Sequence, residues 1–192
     1  MPMCARAVVL GLALLWPVAA SAASLVYQTT LSGAAENPAV TTPGTGTATV
    51  TLDTATHELT VDIVFSGLIG TTTIAHIHCC IAAPGNVGVA SPTPTFPGFP
   101  AGVTAGSYLQ TFDLTQTASW NAAFVTANGG SLGSAEAALA AGLAAGMAYV
   151  NIHTTSFGAG EIRGFLVPEP STATLVGGGL AVLAARRRRR AD

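Results

Sequence analysis

The sequence predicts an all-β domain, an antiparallel sandwich with one or two short helices, carried between two apolar ends. Three observations lead there. Apolar residues alternate with threonines in short runs such as GTATVTLD at 46–53 and ELTVDIVF at 58–65, the period-2 pattern of half-buried strands. Glycine, proline and asparagine punctuate the chain between these runs. Charged residues make up only 8% of the chain while hydrophobic residues make up 49%, so a polar surface has to be built largely from hydroxyls, as suits a secreted β protein.

The elements follow in order. Arg6, the apolar run Ala7 to Val18 and the small residues Ala20-Ser21-Ala22 form the three parts of a cleavable signal peptide, residues 1–23. A body of one domain, residues 24–166, comes next. Its first hairpin joins Gly46–Asp53 to Glu58–Leu68 through the polar link Thr54–His57, with Leu59, Val61, Ile63 and Phe65 on one face. A third strand is predicted at Thr72–Cys79. Five prolines between Pro84 and Pro100 then predict an exposed crossing, since proline donates nothing to a ladder. Strand pattern resumes at Tyr108–Leu114. A short helix over Trp120–Ala127 is closed by Asn128-Gly129-Gly130, and Ser134 is the expected cap of a second helix whose Leu139 and Leu143 share a face. AYVNIH and GEIRGFL read as two strands around the turn Thr154–Gly160. Residues 167–192 close the chain with Val-Pro-Glu-Pro-Ser, an uncharged apolar run Leu175–Ala185 and five arginines, Arg186–Arg190, the arrangement of a short transmembrane helix with a basic cytoplasmic flank.

The body holds seven acidic residues against one base, Arg163; the net charge of −2 for the whole chain conceals this behind the arginine tail. An acidic body argues against nucleic acid as a partner. With Cys4 in the signal peptide, only Cys79 and Cys80 remain. They are candidates for a vicinal disulfide, an eight-membered ring, although two thiols are the favoured expectation.

His76 and His78 leave the same face of their predicted strand, and His153 shares a face with Tyr149 and Asn151 on another. If these strands are neighbours, three imidazoles converge on Zn²⁺ or Cu²⁺, with Glu161 or Cys79 as extra ligands. The competing reading is favoured: structural histidines bonded to backbone, to Glu161 or to each other. His57 falls in a turn and is assigned no role. Arg163 is expected to pair with Glu161, Asp113 or Asp62. No Ser-His-Asp order, catalytic carboxylate pair or phosphate loop stands out, so no catalytic residue is assigned and a non-enzymatic role is expected.

The terminal segment resembles the PEP-CTERM sorting signal through Pro168-Glu169-Pro170, the apolar run and the arginines. That resemblance implies export by a Gram-negative bacterium, membrane association before processing, and cleavage by an exosortase-type transpeptidase, with links to exopolysaccharide and biofilm. The body resembles the CHRD domain in LSGAAENPAV (31–40), GTGTATVTLD (44–53), AHIH (75–78), AEAALAAGLAAGMAYVNIHT (135–154) and GEIRGFL (160–166). This second resemblance implies an immunoglobulin-like, Greek-key sandwich similar to that of copper/zinc superoxide dismutase. It also implies an extracellular role without assigned catalysis, as an interaction or matrix component that meets exopolysaccharide or surface proteins. The expectation is therefore a non-catalytic surface module without cofactor; a zinc- or copper-binding module is the first alternative. A superoxide-dismutase-like enzyme, which needs more histidines than the body supplies, is the remote one.

Overall fold

In the computed structural model, residues 24–169 are described; the signal peptide, Pro170 of the sorting motif, the apolar run and the arginine cluster lie outside the described residues. The body is built from eight strands and two helices. In chain order these are β1 (Leu25–Ser32), β2 (Thr45–Asp53), β3 (Glu58–Ser66), β4 (Thr72–Cys79), β5 (Gly106–Asp113), α1 (Ala122–Ala127), α2 (Leu132–Ala144), β6 (Ala148–Thr154), β7 (Ile162–Phe165) and β8 (Val167–Pro168).

The strands pair throughout as antiparallel neighbours in the order β4-β6-β7-β1-β2-β3-β5, with β8 added beside β1. The link between β7 and β1 is a single pair, Ser32 with Arg163. The sheet therefore curls there into two leaves, β4-β6-β7 and β1-β2-β3-β5, which is the sandwich expected from the alternating patterns. The chain crosses from β3 to the far leaf at β4, returns at β5 to pair with β3, and crosses again at β6. Leu31, Val50, Leu52, Val61, Ile63 and Phe65 from one leaf join Ile77, Val150, Ile152 and Ile162 from the other in one buried core. Among the described residues no helix is long and apolar enough to cross a membrane.

The structure departs from the sequence expectations in several places. β1 was not anticipated, although Leu25, Tyr27 and Leu31 keep the period of a strand with Thr29 between them. The proline-containing segment is a crossing outside the named strands with Pro84, Pro94 and Pro97 exposed, as expected, but it is not exposed throughout: Ala90 and Phe96 are fully buried, and the Phe96 ring lies 5.5 Å from Tyr108 and 5.8 Å from Phe112. Its amides bond back to β4, with Ala90 N and Phe96 N donating to the carbonyls of Ile77 and Ala75. Proline bars regular pairing but not this irregular apolar cover. The cap of α2 is Ser131, not Ser134; Ser134 is the third helical residue and closes a capping box with Ser131, an equally good reading of a Ser-x-x-Ser pair.

Cys79 and Cys80 are joined in a disulfide, in place of the two thiols favoured from sequence. The reason α2 can pack on this bridge is Gly142: a Cβ there would fall against Cys79 Sγ and 2.6 Å from Cys80 Sγ. The helix then stops at Gly146, whose φ of +66° suits glycine, with Met147 N donating to the Gly142 carbonyl. Replacing a helical glycine by alanine ordinarily stabilises by up to about 1 kcal/mol. Gly142→Ala is expected to do the opposite and cost about 1–3 kcal/mol by overpacking. Thermal denaturation gives the sign, and a variant as stable as the parent or more so would contradict this packing.

Candidate functional site

The two faces of the β4-β6-β7 leaf differ in chemistry. Ala75, Ile77, Val150, Ile152 and Ile162 face the core. The opposite face carries Ile74, His76 and His78 of β4, cross-paired with His153, Asn151 and Tyr149 of β6, and then Arg163 and Phe165 of β7. Directly opposed residues in an antiparallel ladder project to one side, so this register alone brings the three histidines together. The imidazoles are buried, at 4%, 9% and 8% exposure for His76, His78 and His153. Their ring centroids lie 5.7 to 6.3 Å apart, and one ring nitrogen of each lies within 4.8 Å of those of the other two.

The remaining ring nitrogens are tied to main-chain carbonyls. His76 Nε2 bonds the Pro94 oxygen at 2.7 Å, His78 Nδ1 the Val87 oxygen at 2.7 Å, and His153 Nδ1 the Gly158 oxygen at 3.0 Å. A carbonyl oxygen only accepts, so each of these nitrogens carries the proton and the other nitrogen of the neutral ring is a bare lone pair. Those lone pairs belong to His76 Nδ1, His78 Nε2 and His153 Nε2, and all three are buried without a hydrogen-bond partner. Burial holds all three imidazoles below their usual pKa, His78 most, at about 4, with its two histidine neighbours and Arg163 adding to the effect.

Sequence reasoning offered metal ligation and structural hydrogen bonding as rivals. The geometry bears out the backbone hydrogen bonds and does not use up the rings: one nitrogen of each is structural and the other is left over. A histidine that ligates metal commonly donates its second N–H to a carbonyl, which fixes ring and tautomer.

The proposed extra ligands do not join the trio. Glu161 accepts from Thr42 Oγ1 (2.6 Å), Ile69 N (2.6 Å), Gly70 N (3.1 Å) and Thr154 Oγ1 (2.8 Å). Burial pulls its pKa up, but these bonds outweigh it and hold the carboxyl below its ordinary range. Its work is to clasp the start of β4 to the end of β6. Cys79 is spent in the disulfide.

Arg163 is paired with none of the expected acids. Its guanidinium is 1% exposed and bonds the carbonyls of Ala35, Pro84 and Gly85 and the side chain of Asn86, with Glu36 at 3.7 Å. Glu36 was not singled out from sequence. Desolvation pushes its pKa up to about 7 against the pull of Arg163, and its Oε1 is unpartnered, as is Asn151 Oδ1. Both atoms approach Gly160, where only a residue without Cβ fits. The signal for this second polar patch was the Glu-Asn-Pro run at 36–38, which has no period to announce a buried carboxylate. His57, left without a role, binds Glu136 of α2 at 2.8 Å and ties that helix to the first hairpin.

The comparisons with known proteins agree with the motifs. A family model described as the CHRD domain matches residues 27–166, and one described as the PEP-CTERM protein-sorting motif matches residues 166–190. Neither a curated protein nor a solved structure matches the chain.

The depressed histidines contribute a loss of stability in acid to the metal-free fold. A histidine whose folded pKa lies below its unfolded value contributes stability that is complete above about pH 6.5 and lost as pH falls toward the folded value. For His78, with a folded pKa of about 4, that loss is about 3 kcal/mol between pH 7 and pH 4. Glu36 has the opposite sign in much of this window, since its raised pKa favours the folded state as pH falls. A comparison of parent and His78→Gln cancels that contribution. Their stability difference, measured by denaturant titration, is expected to shift by about 3 kcal/mol against the parent from pH 7 to pH 4; a difference independent of pH would refute the depressed imidazole.

Proposed function

Because the chain belongs to the CHRD-domain family and ends in a PEP-CTERM sorting motif, we propose that it is a non-catalytic module of the bacterial surface that holds one zinc or copper ion through His76, His78 and His153. The sorting motif itself marks an exported protein, processed by an exosortase at the envelope of a Gram-negative bacterium. The observation that carries the metal reading is the set of three buried ring nitrogens that converge without hydrogen-bond partners. Each uncompensated acceptor costs about 1–3 kcal/mol, and three lone pairs facing one another cannot satisfy each other. A cation is what satisfies all three at once. Neutral imidazole suits zinc and copper, and the absence of carboxylate from the trio disfavours hard ions such as Ca²⁺.

Three histidines on one ion stand about 3.3–3.6 Å apart when metal–nitrogen bonds are about 2.0–2.1 Å, so the trio has to draw together on the ion from its present spread. Each ring keeps its carbonyl anchor as a pivot. The role assigned to the bound ion is to lock β4 to β6 and the loop that covers them, giving a rigid face to whatever matrix component the module meets, exopolysaccharide or surface protein. No observation favours the superoxide-dismutase-like alternative, which calls for more imidazoles than this trio.

Isothermal titration of protein purified without chelators or affinity metals tests the reading. One equivalent of Zn²⁺ or Cu²⁺ is expected to bind, and alanine at His76, His78 or His153 to weaken binding by well over tenfold while His57→Ala leaves it unchanged. Affinity falls with acid as protons compete for the three nitrogens. No saturable binding at micromolar metal would end the proposal. Mass spectrometry of the surface-exposed protein gives a second, separate check: a C-terminus near Pro168-Glu169-Pro170 is expected, and recovery of Arg186–Arg190 would show that the tail is retained.

A further inference from the structure

The only lysine or arginine of the body is also its largest fully buried side chain, and it reaches the histidine site by two routes. The first is a stack. The Arg163 guanidinium carbon sits 4.9 Å from the Tyr149 ring centroid, and the Tyr149 ring lies parallel to His78, at 4.7 Å and 3°. Phe165 lies beside both, 5.5 Å from the guanidinium and 5.0 Å from Tyr149. The second route is the main chain. Arg163 donates to the carbonyls of Pro84 and Gly85 and to Asn86 Oδ1. The next residue, Val87, receives the His78 Nδ1 proton on its carbonyl and donates its amide to the Tyr149 hydroxyl at 3.3 Å. Ring plane and tautomer of His78 are thus both set by groups that Arg163 holds.

We propose that Arg163 is a positioning residue for the histidine site: through the Tyr149 ring and the Pro84–Val87 segment it fixes His78 as the Nδ1–H tautomer with Nε2 turned toward His76 and His153. The proposal builds on the metal reading for its consequence, but the positioning itself is a property of the metal-free protein. Arginine suits the task because its planar fork bonds several carbonyls while its face packs on an aromatic ring; a lysine offers neither the fork nor the plane. An ordinary buried ion pair would not need this arrangement, since Glu36, the nearest carboxylate, stands at 3.7 Å and lies outside the stack. His76 and His153 depend on other carbonyls, Pro94 and Gly158, so the effect is local to one of three ligands.

Long-range ¹H–¹⁵N correlation spectra of the labelled, metal-free exported protein report the tautomer of each ring, and zinc titration of the same samples reports affinity. In the parent, His78 is expected as a single Nδ1–H form. Tyr149→Leu removes the ring between guanidinium and imidazole. Arg163→Lys keeps the charge but loses the fork. Both are expected to give mixed tautomers at His78 alone and zinc binding weakened by about 10–100-fold, the scale of lost outer-shell support. Tyr149→Phe retains the stack and loses only the hydroxyl contact with Val87, while Arg163 still holds Pro84, Gly85 and Asn86, so it is expected to keep the single tautomer. A single Nδ1–H form and parental affinity in Tyr149→Leu and Arg163→Lys would overturn the assignment. If Tyr149→Leu loses the amide dispersion of a folded sheet, Arg163→Lys decides on the same two readouts. Tautomer mixing at His78 in a protein whose parent binds no zinc would support the positioning role and defeat the metal reading.

Discussion

Three main-chain carbonyls, those of Pro94, Val87 and Gly158, decide what the histidine face can do. Each takes the proton of one ring nitrogen and thereby leaves the other as a lone pair aimed into a buried cluster. Had the second nitrogen of each ring met a hydrogen-bond donor instead, the cluster would be satisfied and chemically inert. The sheet supplies the convergence, because β4 and β6 pair in a register that sets Ile74, His76 and His78 against His153, Asn151 and Tyr149. The loop between β4 and β5 supplies two of the carbonyls, Val87 and Pro94, and the turn between β6 and β7 supplies the third. Apolar anchors such as Phe96 and Ala90 hold that loop against the sheet, so the packing of the core reaches the tautomers of the site through a short chain of contacts.

The energetic pattern points the same way. Buried polar atoms are nearly always bonded, and exceptions call for an explanation. Among the described residues the unpartnered side-chain atoms are Glu36 Oε1, Asn151 Oδ1 and the three ring nitrogens. All five are acceptors on or beside one leaf of the sandwich. Elsewhere the same fold satisfies demanding groups completely, as the four bonds to Glu161 and the fork of Arg163 show. A fold able to do that around two buried charges has left three neutral rings half-satisfied in one place, and the proposed cation would give that selective deficit a reason.

Much of this was legible in the residue order. Alternation located β2 and β3, the parity of His76 and His78 put them on one face, and AYVNIH placed His153 with Tyr149 and Asn151. What periodicity could not show was anything contributed by irregular chain. The prolines between Pro84 and Pro100 hid the buried anchors of their loop, Ala90 and Phe96, because an aperiodic segment gives no sign of which residues it turns inward. The carbonyls that select the tautomers have no side-chain signature at all. Arg163 was matched to acids near it in sequence or across the sheet, whereas its partners are carbonyls some eighty residues earlier, at Pro84 and Gly85, and the carbonyl of Ala35. The cysteine pair was undecidable from spacing, since adjacency permits either thiols or a ring; the glycine at 142 acquires its meaning only once α2 is seen to lie on the two sulfurs.

X-ray absorption spectroscopy at the zinc or copper edge of the metal-loaded protein tests the central claim most directly, because it reads the donor atoms themselves. The account predicts a first shell of nitrogen at about 2.0–2.1 Å with the outer-shell scattering of three imidazole rings and no sulfur near 2.3 Å. A shell dominated by sulfur or by carboxylate oxygen, or one with fewer than two imidazoles, would contradict it.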